Sequence, residues 1–115
     1  MKPFVFIFRQ SKHPMTQEQQ KRRTEEVRAW AIQLRDAGHA LEPHMLGEER
    51  FFEAAAGSDG SGATAGGGDP VTAILIAGFQ RFEEATKAAQ THPGLRYGVS
   101  VEVREAFPPV PAPVQ

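Results

Sequence analysis

The sequence predicts an α+β fold in which an antiparallel sheet carries two helices on one of its faces. The strongest observation is Val71–Phe79, an apolar run in which both alternating sets of side chains are hydrophobic, as in a strand that is covered on both faces. A second run, Gly98–Phe107, alternates valines with polar residues and predicts another strand. Apolar residues at helical spacing precede the first run and separate the two runs, which adds two helices to the strands.

The first half of the chain predicts one strand and one helix. Pro3–Arg9 is rich in aromatic and β-branched residues on both faces, as expected for a central strand. Thr16 is followed three residues later by Gln19, a capping-box spacing that predicts the start of a helix. Gly38 predicts its end. The apolar stripe of this helix consists of Val27, Trp30, Ala31 and Leu34.

The middle of the chain gives a weaker pattern. Leu41–Leu46 is a possible strand, which Pro43 places at an edge or a bulge because proline cannot donate to a ladder. Arg50–Ala54 is a candidate partner strand after a turn, which would make a hairpin. Residues 55–69 (Ala55–Asp69) are rich in Gly, Ser and Ala and predict a flexible connection.

A second helix is predicted after the apolar run, from Phe82, Ala85, Ala89 and His92 at helical spacing, and should end near His92. The last strand places Val99, Val101 and Val103 opposite Ser100, Glu102 and Arg104. Two right-handed strand–helix–strand halves then form a ferredoxin-like βαββαβ antiparallel sheet with both helices on one face. We predict one domain over residues 1–107 and an extended proline-rich tail over residues 108–115.

A homodimer follows from the strands that are apolar on both faces. Two helices can screen only one side of a four-stranded sheet, so the second side needs another cover. A second copy of the chain is the natural candidate.

Composition excludes several classes of partner. With 13 Lys and Arg against 14 Asp and Glu, the chain offers no broad attraction for nucleic acid or an anionic membrane. No apolar run is long enough to span a bilayer, and the N-terminal run Phe4–Phe8 is too short for an export signal. The lack of cysteine is compatible with a reducing compartment, so cytoplasm is the expected location. No cofactor or metal site is predicted.

The segment Gly68–Arg104, with Trp30, Leu34 and Gly38 upstream, resembles the YCII-related domain family, including its DGPF-like subgroup. The shared features are an apolar strand, an EEA helix, an HPG turn and a closing VEVR strand. The resemblance implies a dimeric α/β barrel made of two ferredoxin-like sheets. The DGPF motif itself is missing, and Val27 stands where some members carry a helical histidine, so the acid/base pair proposed for those members does not transfer.

Candidate site residues are few. The glycines of residues 60–66 superficially resemble a dinucleotide-binding turn, but no helix follows them, so a linker is favoured. Of the histidines, His44 is the one that could face a dimer cavity, while His92 is expected to pack at a helix end and the roles of His13 and His39 stay open.

Charged and aromatic residues add two further candidates. Glu102 and Arg104 share one face of the last strand and could pair with each other or with Arg9, and an ion-pair network is favoured over ligand recognition. Trp30 and Tyr97 could line an apolar cleft, although a core role is favoured for Trp30.

The sequence therefore favours a homodimer that binds a small organic molecule in a cavity between sheets or between sheet and helix. Two alternatives stay open. The chain could be a cofactor-free isomerase, lyase or hydrolase that uses His44 as base with Glu102 or Arg104 orienting the substrate, or a regulatory interaction module that uses the polar half of the first helix and the tail.

Overall fold

The computed structural model describes residues 1–11, 14–47, 50, 52, 54 and 69–109. The strands are β1 (Lys2–Gln10), β2 (Leu41–Met45), β3 (Val71–Phe79) and β4 (Val99–Glu105). The helices are α1 (Gln17–Asp36) and α2 (Phe82–Gln90), and a short 3-10 helix spans Pro93–Tyr97. The predicted α+β class, with two helices and an antiparallel sheet, is confirmed.

The four strands form one antiparallel sheet in the order β2-β3-β1-β4. This order is consistent with the predicted ferredoxin-like arrangement. β1 lies in the centre and pairs on both sides, with Phe6 opposite Leu75 of β3 and Val103 of β4. β2 is an edge strand, as Pro43 indicated.

One face of the sheet forms the core together with the helices. Phe4, Phe6 and Phe8 of β1 are buried there, and the ring of Phe6 stacks on Phe79 with centroids 5.8 Å apart. Full burial of each such ring contributes about 1.5–3 kcal/mol. The buried side chains that α2 contributes to this core are small, Ala85, Ala88 and Ala89, and the ring of Phe82 at its start lies against Phe4.

The capping box predicted for α1 is confirmed. The Oγ1 of Thr16 accepts a hydrogen bond from the backbone N–H of Gln19, and the Gln19 side chain accepts one from the N–H of Thr16. Trp30 is the buried residue of the helix, and its Nε1–H donates to the carbonyl of Ala88 at 3.1 Å. α1 is therefore held to α2 mainly through one large side chain.

The C-terminal end of α2 differs from the prediction. The helix ends at Gln90, and His92 lies outside it with extended backbone at φ −65° and ψ 124°. The reason is Pro93, which disfavours helical backbone in the residue before it. His92 instead caps the 3-10 helix, because its Nδ1 accepts the backbone N–H of Gly94 at 3.0 Å.

The predicted partner strand Arg50–Ala54 lies partly outside the described residues. Arg50, Phe52 and Ala54 are described, and none of them is in a strand. The Gly-rich connection lies outside the described residues except for Asp69, and so does the tail from residue 110 onward. Within the described ranges, no helix has the length and apolar character needed to cross a membrane.

Candidate functional site

A cavity of about 450 Å³ lies between α1 and the covered face of the sheet; we call it the helix–sheet cavity. Val27, Trp30 and Ala31 line it from α1, and Phe8, Leu41 and Ala73 line it from the sheet. Val27 and Ala31, which line the cavity beside Trp30, are too small to fill the space between this part of α1 and the sheet. Sequence reasoning identified this stripe as a core-packing face and proposed a cavity between sheets or between sheet and helix, without placing it at this stripe.

His92 is the buried polar residue of the cavity wall, with 6% of its surface exposed. Its ring lies against Phe8 and Trp30, with centroid distances of 4.8 and 4.7 Å. Because Nδ1 accepts the N–H of Gly94, the proton of the neutral ring is on Nε2. Burial lowers the pKa of His92 from 6.5 to about 4, so the ring is neutral at pH 7.

The second ring nitrogen of His92, Nε2, carries the proton and belongs to a residue that lines the cavity. Nε2 makes no hydrogen bond to another described residue. In the described part of the chain, every side-chain nitrogen or oxygen that is inaccessible to solvent has a hydrogen-bond partner. Nε2 is therefore accessible, and the cavity is the space that His92 borders. It is a hydrogen-bond donor available to a bound molecule.

Arg23 and Gln10 form the polar end of the cavity. The Nη1 of Arg23 donates to Oε1 of Gln10 at 2.7 Å, and Nε2 of Gln10 donates to the carbonyl of Tyr97 at 2.9 Å. This chain of bonds holds the Arg23 guanidinium in place. Across the described ranges Arg23 has no carboxylate partner, because the nearby Glu26 is bonded to Arg96 and Tyr97.

Within the described residues, no helix covers the other face of the sheet, which we call the open face. Its centre is apolar and half-buried, formed by Val5, Ile7, Ile74 and Ile76. The predicted ion pairs lie on the β4 side of this face and are confirmed: Arg9 donates to Glu102 at 2.7 Å, and Arg104 also bonds Glu102. Hydrogen bonds from Arg104 and then Arg9 lower the pKa of Glu102.

His44 also lies on the open face, on the edge strand β2, where it borders the helix–sheet cavity as well, and its side chain is 51% exposed. Its Nε2 is 3.2 Å from Oε2 of Glu42. β2 and β4 are at opposite edges of the sheet, so three strand spacings, about 14 Å, separate His44 from Glu102. The structure brings Glu102 and Arg104 together and leaves His44 apart from them within one protomer.

The remaining candidates have structural contacts. His39 places Nδ1 2.8 Å from the carbonyl of Gly78 and packs its ring on Phe79. Trp30 is core, as favoured, and also lines the cavity, whereas Tyr97 donates its hydroxyl to Glu26 and does not line it. His13 lies outside the described residues. In the part of the chain that the structure describes, no three His, Asp or Glu side chains converge as a metal site.

Sequence reasoning missed Arg23 and Gln10 as cavity residues. Their spacing carried no signal, because Arg23 belongs to a polar stretch of α1 that was expected to face water, and Gln10 ends a strand. Only the fold brings the two side chains together. No protein-family model matches this chain, and a search of the curated proteins finds no match to it.

Proposed function

We propose that this chain binds a small organic molecule in the helix–sheet cavity and acts as a homodimer that pairs through the open face. The observation that carries the binding proposal is the cavity itself. Its volume of about 450 Å³ falls in the range of ligand pockets. Apolar walls with a few oriented polar groups are the usual composition of such pockets.

The dimer has separate support. Val5, Ile7, Ile74 and Ile76 form a continuous apolar patch on adjacent strands of the open face, and such patches mark interaction sites. The YCII-related resemblance of Gly68–Arg104 belongs to the same proposal, since it implies pairing of two such sheets. A cytoplasmic location is also proposed, on the lack of cysteine.

Binding is favoured over the acid/base alternative for a geometric reason. The proposed base His44 lies about 14 Å from Glu102 across the sheet, which is too far for both to act on one small substrate within a protomer. The interaction-module alternative relies on the tail, most of which lies outside the described residues, and on the polar half of α1.

The binding proposal can be tested with a neutral aromatic probe, 2-naphthamide, added to the full chain. Trp30 is the one tryptophan of the sequence and lines the cavity, so a ¹H–¹⁵N spectrum reports the site through a single indole signal. We expect the ring current of the bound probe to shift this signal in a saturable manner. An indole signal that stays in place at millimolar probe would overturn the proposal.

Two variants identify the place of binding. Ala31→Phe fills the cavity from the α1 side and Ala73→Leu from the sheet side, and both should abolish the shift. Ala29→Phe is the matched control, because Ala29 is exposed on the same helix, and it should bind as the parent chain does. Equal binding by all the variants would place the probe elsewhere.

A further inference from the structure

We infer that the ligand of the helix–sheet cavity is a small aromatic acid, whose ring lies among Phe8, Trp30 and His92 and whose anionic group meets Arg23. This inference rests on the proposed function, because it names the chemical class of molecule that the same cavity binds.

The anionic group is inferred from the charges around the cavity. Arg23 is the cation at its polar end, and it is held by an amide oxygen of Gln10 rather than by a carboxylate. Among the described residues, no Asp or Glu lines the cavity. Because the guanidinium has further N–H donors beyond the one given to Gln10, and no carboxylate partner among the described residues, it is arranged to bind a carboxylate.

The aromatic part is inferred from the opposite end. The rings of Phe8 and Trp30 both contact the His92 ring at less than 5 Å between centroids, and aromatic rings bind other rings in offset or edge-to-face arrangements. His92 adds one neutral donor, Nε2–H, and no charge at pH 7. This end of the cavity therefore fits an uncharged ring with a hydrogen-bond acceptor.

The distance between the two ends sets the size of the ligand. Arg23 and Trp30 lie on the same helix seven residues apart, which is about 10 Å along the helix axis. A carboxylate on a one- or two-ring aromatic system spans a comparable length. Amino acids with a free ammonium group fit less well, because no acidic side chain of the described ranges borders the cavity to receive it.

The test compares two probes of the same shape, 2-naphthoate and 2-naphthamide, by isothermal titration calorimetry at pH 7 on the full chain. The carboxylate should bind about tenfold more tightly than the amide, because a charge-assisted hydrogen bond replaces a neutral one. Binding of both probes with equal affinity would overturn the acid inference and leave the proposed function standing. If neither probe binds, the proposed function fails.

Two variants of α1 test whether Arg23 is the residue that makes the carboxylate probe bind more tightly than the amide. Arg23→Met should remove the preference for the carboxylate and leave the affinity for the amide within about twofold. Arg28→Met is the matched control, since Arg28 is exposed on the same helix and does not line the cavity; the preference should persist in it. A preference that survives in Arg23→Met, or is lost equally in both variants, would contradict the role of Arg23.

Discussion

His92 illustrates at the scale of one residue how a polar side chain is accommodated in an apolar core. One ring nitrogen is satisfied by the backbone N–H of Gly94, and the ring packs against Phe8 in a tilted arrangement and against Trp30 in a T-shaped one. A proton on Nδ1 would break the bond to Gly94 and would place a charge among aromatic rings. Burial therefore lowers the pKa of the side chain to about 4.

We predict that His92 makes the stability of the protein depend on pH. Its pKa is about 4 in the folded chain and 6.5 when the side chain is exposed, so the unfolded state binds more protons between these values. The stabilisation is complete above about pH 6.5 and is lost as the pH falls through about 4. We expect a loss of about 2 kcal/mol in the free energy of unfolding, less than the full linkage value because the cavity opens to solvent.

The measurement is urea unfolding at a series of pH values for the parent chain and for His92→Asn. Asparagine can still accept the N–H of Gly94 as a cap but does not titrate. Arg23 and His44 are the other ionisable residues that line the cavity, and both are kept. The variant should lack the fall between pH 7 and about 4 that the parent shows. Parallel curves for the two proteins would show that His92 is not the group responsible.

At the scale of elements, local signals in the sequence mark where helices and strands begin and end. The capping box at Thr16 starts α1, and Gly38 with φ +96° follows its end. A second glycine with positive φ, Gly98 at +86°, separates the 3-10 helix from β4. The two glycines have the same backbone requirement but different surroundings.

We predict that replacing these glycines by alanine has unequal costs. An L side chain at positive φ costs about 1–2 kcal/mol at either position. A Cβ at Gly38 meets nothing within 4 Å, whereas a Cβ at Gly98 would collide with Oγ of Ser11. The Gly98→Ala variant should therefore be less stable than Gly38→Ala in chemical denaturation. Equal losses would show that Ser11 moves aside at no cost.

The sequence predicted the elements well where a local pattern decides the structure. β1 and β3 followed from runs that are apolar on both faces, β4 followed from alternation, and the start of α1 followed from its capping residues. The end of α2 was placed too late, because His92 continued the helical spacing and its cap on Gly94 forms only when Pro93 ends the helix. The hydrogen bond between His92 and Gly94 therefore competes with continuation of α2, and the helix ends earlier than its apolar spacing indicates.

The candidate site was less predictable than the elements. The pairing of Glu102 with Arg104 and Arg9 could be foreseen, since neighbouring strand positions determine it. A cavity between sheets or between sheet and helix was proposed from the sequence, but its position against α1 could not be foreseen, because its walls come from residues distant in the sequence. Arg23 and His92 acquire their roles only from that space.

At the scale of the whole molecule, the two faces of the sheet differ in how far their apolar side chains are buried. Phe4 and Phe6 on the covered face have no exposed surface, whereas Ile7 and Ile76 on the open face are only half-buried. Apolar side chains on a sheet face are stabilised when they leave water. A second copy is the cover we propose for the open face, because a two-fold dimer would pair this face with itself.

We predict that Ile76→Lys prevents this association. Ile76 lies in the open face between Glu42 and Val5, so the lysine is tolerated in the protomer by the neighbouring carboxylate. In a two-fold dimer the substitution buries two ammonium groups, which should weaken the dimer at least about 100-fold. Sedimentation velocity at micromolar concentration should show a dimer for the parent chain and a monomer for the variant.

The control for this prediction is Leu95→Lys, which adds the same charge to an exposed leucine of the 3-10 helix, away from the open face. It should sediment as the parent chain does, because the substitution leaves the apolar patch of β1 and β3 intact. Circular dichroism and unfolding curves of both variants would show whether the protomer is still folded. A parent chain that sediments as a monomer, with a folded protomer, would mean that the half-buried isoleucines are covered by something other than a second copy.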